Sequence, residues 1–354
     1  MLIVAALIAF FVTTLFVFML YPVAQKLRLV DLPGGRKRHD GPVPLIGGIA
    51  MCMGLTFGTT LIPAVTFWSA TGLAIYLLVI VGTIDDRFDL PAGVRLIAQC
   101  CVALLVIYGG GVIVESLGAP IFSELRLGLF SEPFTILFLI TVINAFNVID
   151  GIDGLCGGLS LVALVALAVV SANTSVFPLT IVIAAAVAGF LLFNLPLPIN
   201  RSVRVFMGDA GSTFLGLVIA TLGIYLSQGT SGQITPPIGL WFIAVPVFDL
   251  FSATVRRMLA RKSPFAPDHE HLHHALVETG LSRRETLIVM LSIALALAVF
   301  GLFAHRVALP DGVTVPLWIA ANVFYYQLLR KPIAIVRVVR LFRPQKSSAT
   351  TSTA

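Results

Sequence analysis

The side chains able to do chemistry are few and gather in four short clusters. These are Asp85-Asp86-Arg87-Phe88-Asp89, Asn144 to Gly154 with Asn147, Asp150 and Asp153, Gly208-Asp209-Ala210-Gly211-Ser212, and His271-Leu272-His273-His274. Carboxylate and amide oxygens are hard donors that suit Mg²⁺ or Mn²⁺. Imidazoles and nearby arginines suit phosphate, and glycines let a backbone approach a ligand closely. Each cluster lies at the mouth of a long apolar run. Metal-assisted phosphate chemistry at a membrane face, on a lipid, is the reading that uses all four.

Asp85, Asp86 and Asp89 directly follow one apolar run. If that helix continues by a turn, Asp85 and Asp89 share a face. Three anions so close repel one another, and a helix C-terminus itself disfavours negative charge. A metal or substrate partner is therefore expected, the alternative being a solvated helix end softened by Arg87. Asn144, Asn147 and Asp150 are spaced by three and form one drifting stripe on a helix. Gly151 and Gly154 then allow a tight turn. The likeness to a calcium-binding loop is superficial, because its twelfth-position Glu is missing. A turn rich in turn-forming residues is the plainer alternative. Ser212 is expected to cap the helix that follows it, whose N-terminus offers free N–H groups to an anion.

The stretch Asp268-His269-Glu270-His271-Leu272-His273-His274 stands in a basic loop with Arg256, Arg257, Arg261 and Lys262. Phosphate contact fits better than zinc, since there is no Cys and no second ligand pair at helical spacing. Asp249 lies inside an apolar run, and an ionisable residue there is either functional or paired with a neighbouring helix. No phosphate-binding Gly-x-x-x-x-Gly-Lys loop or dinucleotide Gly-x-Gly-x-x-Gly turn is present.

The elements that must position these residues are membrane helices. Of 354 residues, 58% are hydrophobic and only 11% charged, and mean hydropathy is +1.00. A soluble domain has roughly a quarter of its residues charged, so a water-soluble globule is excluded. The apolar runs are continuous and do not alternate, which excludes a β-barrel. The expected fold is all-α and polytopic, with spans at 2–21, 45–63, 66–84, 95–112, 133–149, 155–172, 176–194, 212–228, 236–255, 285–303 and 312–329. That makes about eleven. The first run reads as a span and not as a cleavable signal, having no preceding positive charge and no small-residue cleavage site.

With the N-terminus outside, only Arg126 and Arg306 of the 23 Lys and Arg fall on the far side. The positive-inside rule therefore selects that orientation, with a cytoplasmic C-terminus and all four clusters on the cytoplasmic face. Residues 1–329 read as one transmembrane domain and 330–354 as a basic amphipathic tail, ending in a disordered stretch from Ser347. The outer segment 113–132 alternates enough for a short hairpin. Cys52, Cys100, Cys101 and Cys156 read as small apolar packers. The net charge of +6 is spread over loops and points to membrane lipid, with no nucleic acid among the partners.

In this order the segments resemble the polyprenyl-phosphate N-acetylhexosamine-1-phosphate transferases. The resemblance rests on Arg36-Lys37-Arg38-His39 through Pro44-Leu45-Ile46-Gly47-Gly48, Asp85 to Asp89, Asn144 to Gly158, Val205 to Thr213, and Ser263-Pro264-Phe265-Ala266-Pro267-Asp268 to His274. Within that family, Asp-Asp-Arg-Phe-Asp and Ser-Pro-Phe-x-Pro-Asp are most similar to the bacterial undecaprenyl-phosphate GlcNAc-1-phosphate branch that starts O-antigen and related envelope glycans. Leu272 stands where that branch usually has Ile.

The resemblance implies transfer of GlcNAc-1-phosphate from UDP-GlcNAc to undecaprenyl phosphate in the bacterial inner membrane, with Mg²⁺ or Mn²⁺ as cofactor. It implies Asn147 and Asp209 as metal ligands, and Phe206 and Asp153 around the uracil. It places His271, His273 and His274 near the diphosphate or sugar, and Asp85 and Asp86 where they orient or deprotonate the acceptor. Asp89 and Asp150 join the catalytic acids, while Asn144, Arg257, Lys37 and His39 join the substrate contacts. A homodimer is compatible with this reading. Another UDP-N-acetylated sugar as donor is the enzymatic alternative, and a cation transporter the non-enzymatic one.

Overall fold

The computed structural model describes residues 1–32, 41–63, 68–121, 123–196, 203–229, 232–263 and 271–341. Lys37, His39, Asp268, His269, Glu270 and the tail from Ser347 lie outside the described residues.

The helices run in chain order as α1 (Leu2–Leu27), α2 (Gly47–Thr59), α3 (Trp68–Phe88), α4 (Ala92–Leu104), α5 (Ser131–Ile149), α6 (Leu155–Val170), α7 (Phe177–Asn194), α8 (Gly208–Ser227), α9 (Pro236–Phe242), α10 (Ala244–Leu259), α11 (Leu272–Glu278), α12 (Arg283–Arg306), α13 (Asp311–Arg330) and α14 (Ile333–Leu341). A π-turn, Leu105–Gly109, extends α4, and a 3₁₀ turn, Gly128–Phe130, leads into α5. Two short antiparallel strands, β1 (Val30–Asp31) and β2 (Val43–Pro44), pair Val30 with Pro44.

Eight of these helices are long and apolar enough to cross a membrane, or nine with the bent pair α9–α10 counted as one span. The spans expected at 45–63 and 155–172 are helices of 13 and 16 residues, shorter than the roughly 20 residues a full crossing needs. Exposed Ile3, Leu7 and Phe11 on α1, and Leu295, Val299 and Phe303 on α12, suit a hydrocarbon solvent. The α9–α10 pair bends by 87° at Ile243. Pro246 explains the break: a helix continued through it would drive its ring into the Phe242 carbonyl and lose a hydrogen bond.

Helix α8 is the hub, packed against α2, α3, α5, α6 and α9. Its first turn nests against two glycines of neighbouring helices. A Cβ at Gly48 would overlap the Gly211 backbone, and one at Gly82 the Ala210 backbone. Without an aqueous hydrophobic effect, such close approach is the main source of helix–helix attraction in lipid. In the segment 113–121 and 123–132 the expected hairpin is reduced to one antiparallel bridge, Ser116 to Arg126. Asp311 at the start of α13 ties it down, accepting from Ala119 N at 2.8 Å and from the Thr235 hydroxyl at 2.6 Å. All four cysteines are free thiols.

Candidate active site

The site is built around the N-terminus of α8. Phe206 N donates to Pro44 O at 2.9 Å, while Gly47 N and Gly48 N donate to Phe206 O and Met207 O, each at 3.0 Å. This clamps the chain before α8 against β2 and the start of α2. Gly208 then turns with φ of +71°, in the left-handed region that glycine tolerates. A Cβ there would also overlap the Asp86 carboxylate.

Asp86 comes from the last turn of α3, yet it caps α8. Its Oδ1 accepts from Asp209 N at 2.8 Å and its Oδ2 from Ala210 N at 3.3 Å. The orphan N–H groups and positive dipole end of α8 thus compensate a carboxylate that α3 alone would disfavour. Ser212 is not the cap expected for it. The helix starts a turn earlier, and the Ser212 hydroxyl donates back to Gly208 O at 3.1 Å.

Asp85 is buried. Its Oδ1 accepts from Leu90 N at 2.7 Å and its Oδ2 from Arg95 Nη1 at 3.1 Å. Arg95, on α4, also lies 3.7 Å from Asp209 Oδ2 and so bridges two carboxylates. No cluster in the sequence pointed to Arg95; its only signal is a charge one turn into an apolar helix. Asp89 does not share the Asp85 face. It takes a left-handed φ of 53° just past α3 and is exposed, with its N–H bonded to Asp85 O at 2.8 Å.

The stripe expected of Asn144, Asn147 and Asp150 splits. Asn147 Nδ2 donates to Asp209 Oδ1 at 2.9 Å and to the Ser212 hydroxyl at 3.2 Å. Asn144 turns to α4 instead, donating to Gln99 Oε1 and Ile140 O, both at 2.8 Å. Three-residue steps drift by about 60° per step around a 3.6-residue helix, enough to aim the two amides at different neighbours. Asp150 falls just outside α5. Burial, then the nearby Asp209 and Asp153 carboxylates, push its pKa up to about 7.

Asp153 pairs with Arg204, whose guanidinium lies 5.0 Å from the Phe206 ring centroid. The sequence reading had both partners of Arg204 and missed the cation between them. The His cluster forms the remaining wall. His271 precedes α11, and its Nδ1 lies 2.6 Å from Asp249 Oδ2. His273 is fully buried, and neither ring nitrogen has a hydrogen-bond partner among the described residues. Burial, reinforced by the neighbouring His274 and His271, pulls its pKa down to about 3 despite the opposing pull of Asp249. A Cβ at Gly151 would overlap the His273 ring, so glycine lets the α5–α6 turn and the His helix meet. His274 lies 4.1 Å from His273 between ring centroids. Arg257 is buried in the last turn of α10.

Among the described residues no group of three or more His, Cys, Asp or Glu is arranged to hold a metal. Asp209 nonetheless supplies a hard carboxylate oxygen, and the Asn147 side chain lies against it, Nδ2 to Oδ1 at 2.9 Å, so that a half-turn of the amide would bring its oxygen to the same place. That fits Mg²⁺, which binds one or two carboxylates and completes its octahedron with water and substrate phosphate.

Residues 68–227 match the family model described as glycosyl transferase family 4. The chain is 35% identical over 340 residues to the undecaprenyl-phosphate alpha-N-acetylglucosaminyl 1-phosphate transferase of Escherichia coli K12, covering 94% of this chain and 92% of that one. Proteins of the same name from Yersinia pestis and Pasteurella multocida are each 33% identical, covering 93% and 83% of this chain and 91% and 83% of their own. Its helical membrane fold, its ordered polar clusters and these full-length identities together place the chain in glycosyl transferase family 4.

Proposed function

We propose that the protein transfers GlcNAc-1-phosphate from UDP-GlcNAc to undecaprenyl phosphate, releasing UMP and forming undecaprenyl-diphosphate-GlcNAc. The observation that carries this is the meeting of Asp86, Asn147 and Asp209 at the glycine-started N-terminus of α8, with Arg95 alongside. An anionic lipid phosphate must attack an anionic diphosphate, so catalysis is mainly neutralisation and alignment. Mg²⁺ held by Asn147 and Asp209 would supply charge neutralisation and polarise the phosphoryl oxygens.

The protein's own groups divide the rest of the work. Asp86 holds the α8 terminus in place, and Arg95 keeps Asp85 and Asp209 together. Phe206 and Asp153 contact the uracil, with Arg204 fixing the carboxylate. His271, His273 and His274 face the diphosphate or sugar. The acceptor phosphate has its second pKa near 6, so it is largely ionised at neutral pH and needs little from a base. Asp85 therefore orients and does not deprotonate.

The structure supports eight spans, or nine with the bent pair; on this reading the short helices α2 and α6 complete about eleven crossings, with the N-terminus outside and the site facing the cytoplasm of a bacterial inner membrane. This placement gives access to cytoplasmic UDP-sugars, and the product would enter O-antigen or related envelope glycan synthesis. The test uses purified protein, undecaprenyl phosphate and a panel of UDP-sugars, with UMP release measured with and without Mg²⁺. The expected result is Mg²⁺-dependent release that is greatest with UDP-GlcNAc. Release with another UDP-N-acetylated sugar alone would reassign the donor, and no release with any would overturn the reading.

A further inference from the structure

Asp249 is 1% exposed and sits in α10, just past the bend in the α9–α10 pair. Three hydrogen-bonding groups converge on its carboxyl group. Leu272 N and the Tyr325 hydroxyl each bond Oδ1 at 3.0 Å, and His271 Nδ1 lies 2.6 Å from Oδ2. The backbone N–H can only donate, which marks Oδ1 as an acceptor. An ionised carboxylate is acceptor-only, so the third bond also runs toward it, from Nδ1–H. The separation of 2.6 Å is at the short end for a charge-assisted bond.

With Asp249 ionised, this arrangement selects which ring nitrogen carries the proton. With Nδ1–H committed to Asp249, Nε2 is the nitrogen left for a ligand. The bond from Leu272 N pins the first residue of α11 at the same time. The His273 ring is stacked on His271, nearly parallel at 9° with centroids 5.9 Å apart, so the second imidazole takes its bearing from the first. Tyr325 brings α13 into the same bond set, locking three helices at one carboxylate.

We propose that Asp249 is a positioning residue that holds His271 in the Nδ1–H state with Nε2 toward the substrate, with Tyr325 holding Asp249. The catalytic part of this proposal rests on the transferase reading, whereas the tautomer part does not. An ion cluster serving packing alone is replaceable by apolar groups at little cost. A cluster that orients a reacting imidazole is not, and loss of such outer partners typically lowers activity by about 10–100-fold.

The experiment combines ¹⁵N NMR of histidine-labelled protein in nanodiscs with steady-state kinetics. The His271 signals are assigned by their loss in His271→Gln. Wild type is expected to carry the proton on Nδ1. In Asp249→Asn the amide can donate to that nitrogen, which moves the proton to Nε2. Its kcat should fall by about 10²-fold or more, as wrong-tautomer variants of catalytic His–Asp pairs do. The KM for UDP-GlcNAc should stay within about threefold, since the groups assigned to the uracil, Phe206 and Asp153, are untouched. Tyr325→Phe removes one bond to Oδ1, and should leave the tautomer unchanged and kcat within about fivefold.

An Nε2–H tautomer in wild type overturns the proposal even if Asp249→Asn fails to fold. So does an unchanged tautomer, or a kcat within about threefold of wild type, in folded Asp249→Asn. A wild type that releases UMP from no sugar overturns the transferase reading instead, and the NMR still decides what Asp249 does.

Discussion

Among the described residues, the carboxyl group of Asp249 and the carboxylate cluster at the start of α8 are finished differently. At Asp249 one carboxyl group meets three hydrogen-bonding groups, with no other carboxylate beside it among the described residues. Around the start of α8, Asp85, Asp86, Asp150 and Asp209 crowd together, and Arg95 is the cation that reaches two of them. The first cluster is complete as it stands and behaves as a fixture. The second brings four carboxyl groups close together, so like-charge repulsion there exceeds what its protein partners offset, and a bound cation would relieve it. On the roles proposed above, carboxylates in the two places do opposite work: Asp249 orients another residue, while Asp209 offers its charge to a ligand.

The largest break in this comparison should come from Asp209→Asn. The variant keeps the helix start and removes the charge, so turnover should fall by about 10³-fold or more while the protein stays folded. UMP release and monodisperse elution of the purified variant check it together. Turnover near wild type with unchanged Mg²⁺ dependence would remove Asp209 from the ligand set.

A finer cut separates residues that the sequence treats alike. Asn147→Ala removes the partner of Asp209 and should lower kcat by about 10–100-fold. Asn144→Ala, whose amide is spent on Gln99, and Asp89→Asn, which is exposed beyond the helix end, should each stay within about threefold. Equal losses at Asn144 and Asn147 would restore the single stripe and contradict the geometry.

The smallest effect concerns stability. The folded Asp150 pKa of about 7 lies above its ordinary value of 3.8, so the folded state holds that proton more tightly than the unfolded one. Its stabilising contribution is full below about pH 4 and is lost as pH rises through 7. Asp150→Asn does not titrate and escapes that loss. In metal-free buffer its Tm should match wild type near pH 4, then exceed it by a few degrees above pH 7. A constant gap across that range would show that the carboxyl group titrates normally.

Much of this molecule was legible one segment at a time. Apolar runs mark where helices lie because a bilayer demands long stretches with every backbone group satisfied internally. Each expected span falls on a helix except 236–255, which falls on the bent pair α9–α10, although α2 and α6 are short and α8 starts at Gly208, a turn before Ser212. The four clusters also advertised themselves, since polar residues beside lipid are rarely idle.

What no local pattern could specify is which side chain meets which. Asp86 reaches Asp209 across 123 positions, and Tyr325 reaches Asp249 across 76. Arg95 and Arg204 became part of the site only when helix packing brought their partners to them. The amino-acid sequence by itself determined the membrane helices and the chemical kinds of residue at their ends. The tertiary structure alone decided that Asp86 caps another helix, that Asn144 turns away and that Asp249 holds His271. Side-chain direction on a helix has meaning only relative to a neighbour, and close-packed glycines such as Gly48, Gly82 and Gly151 set where those neighbours lie.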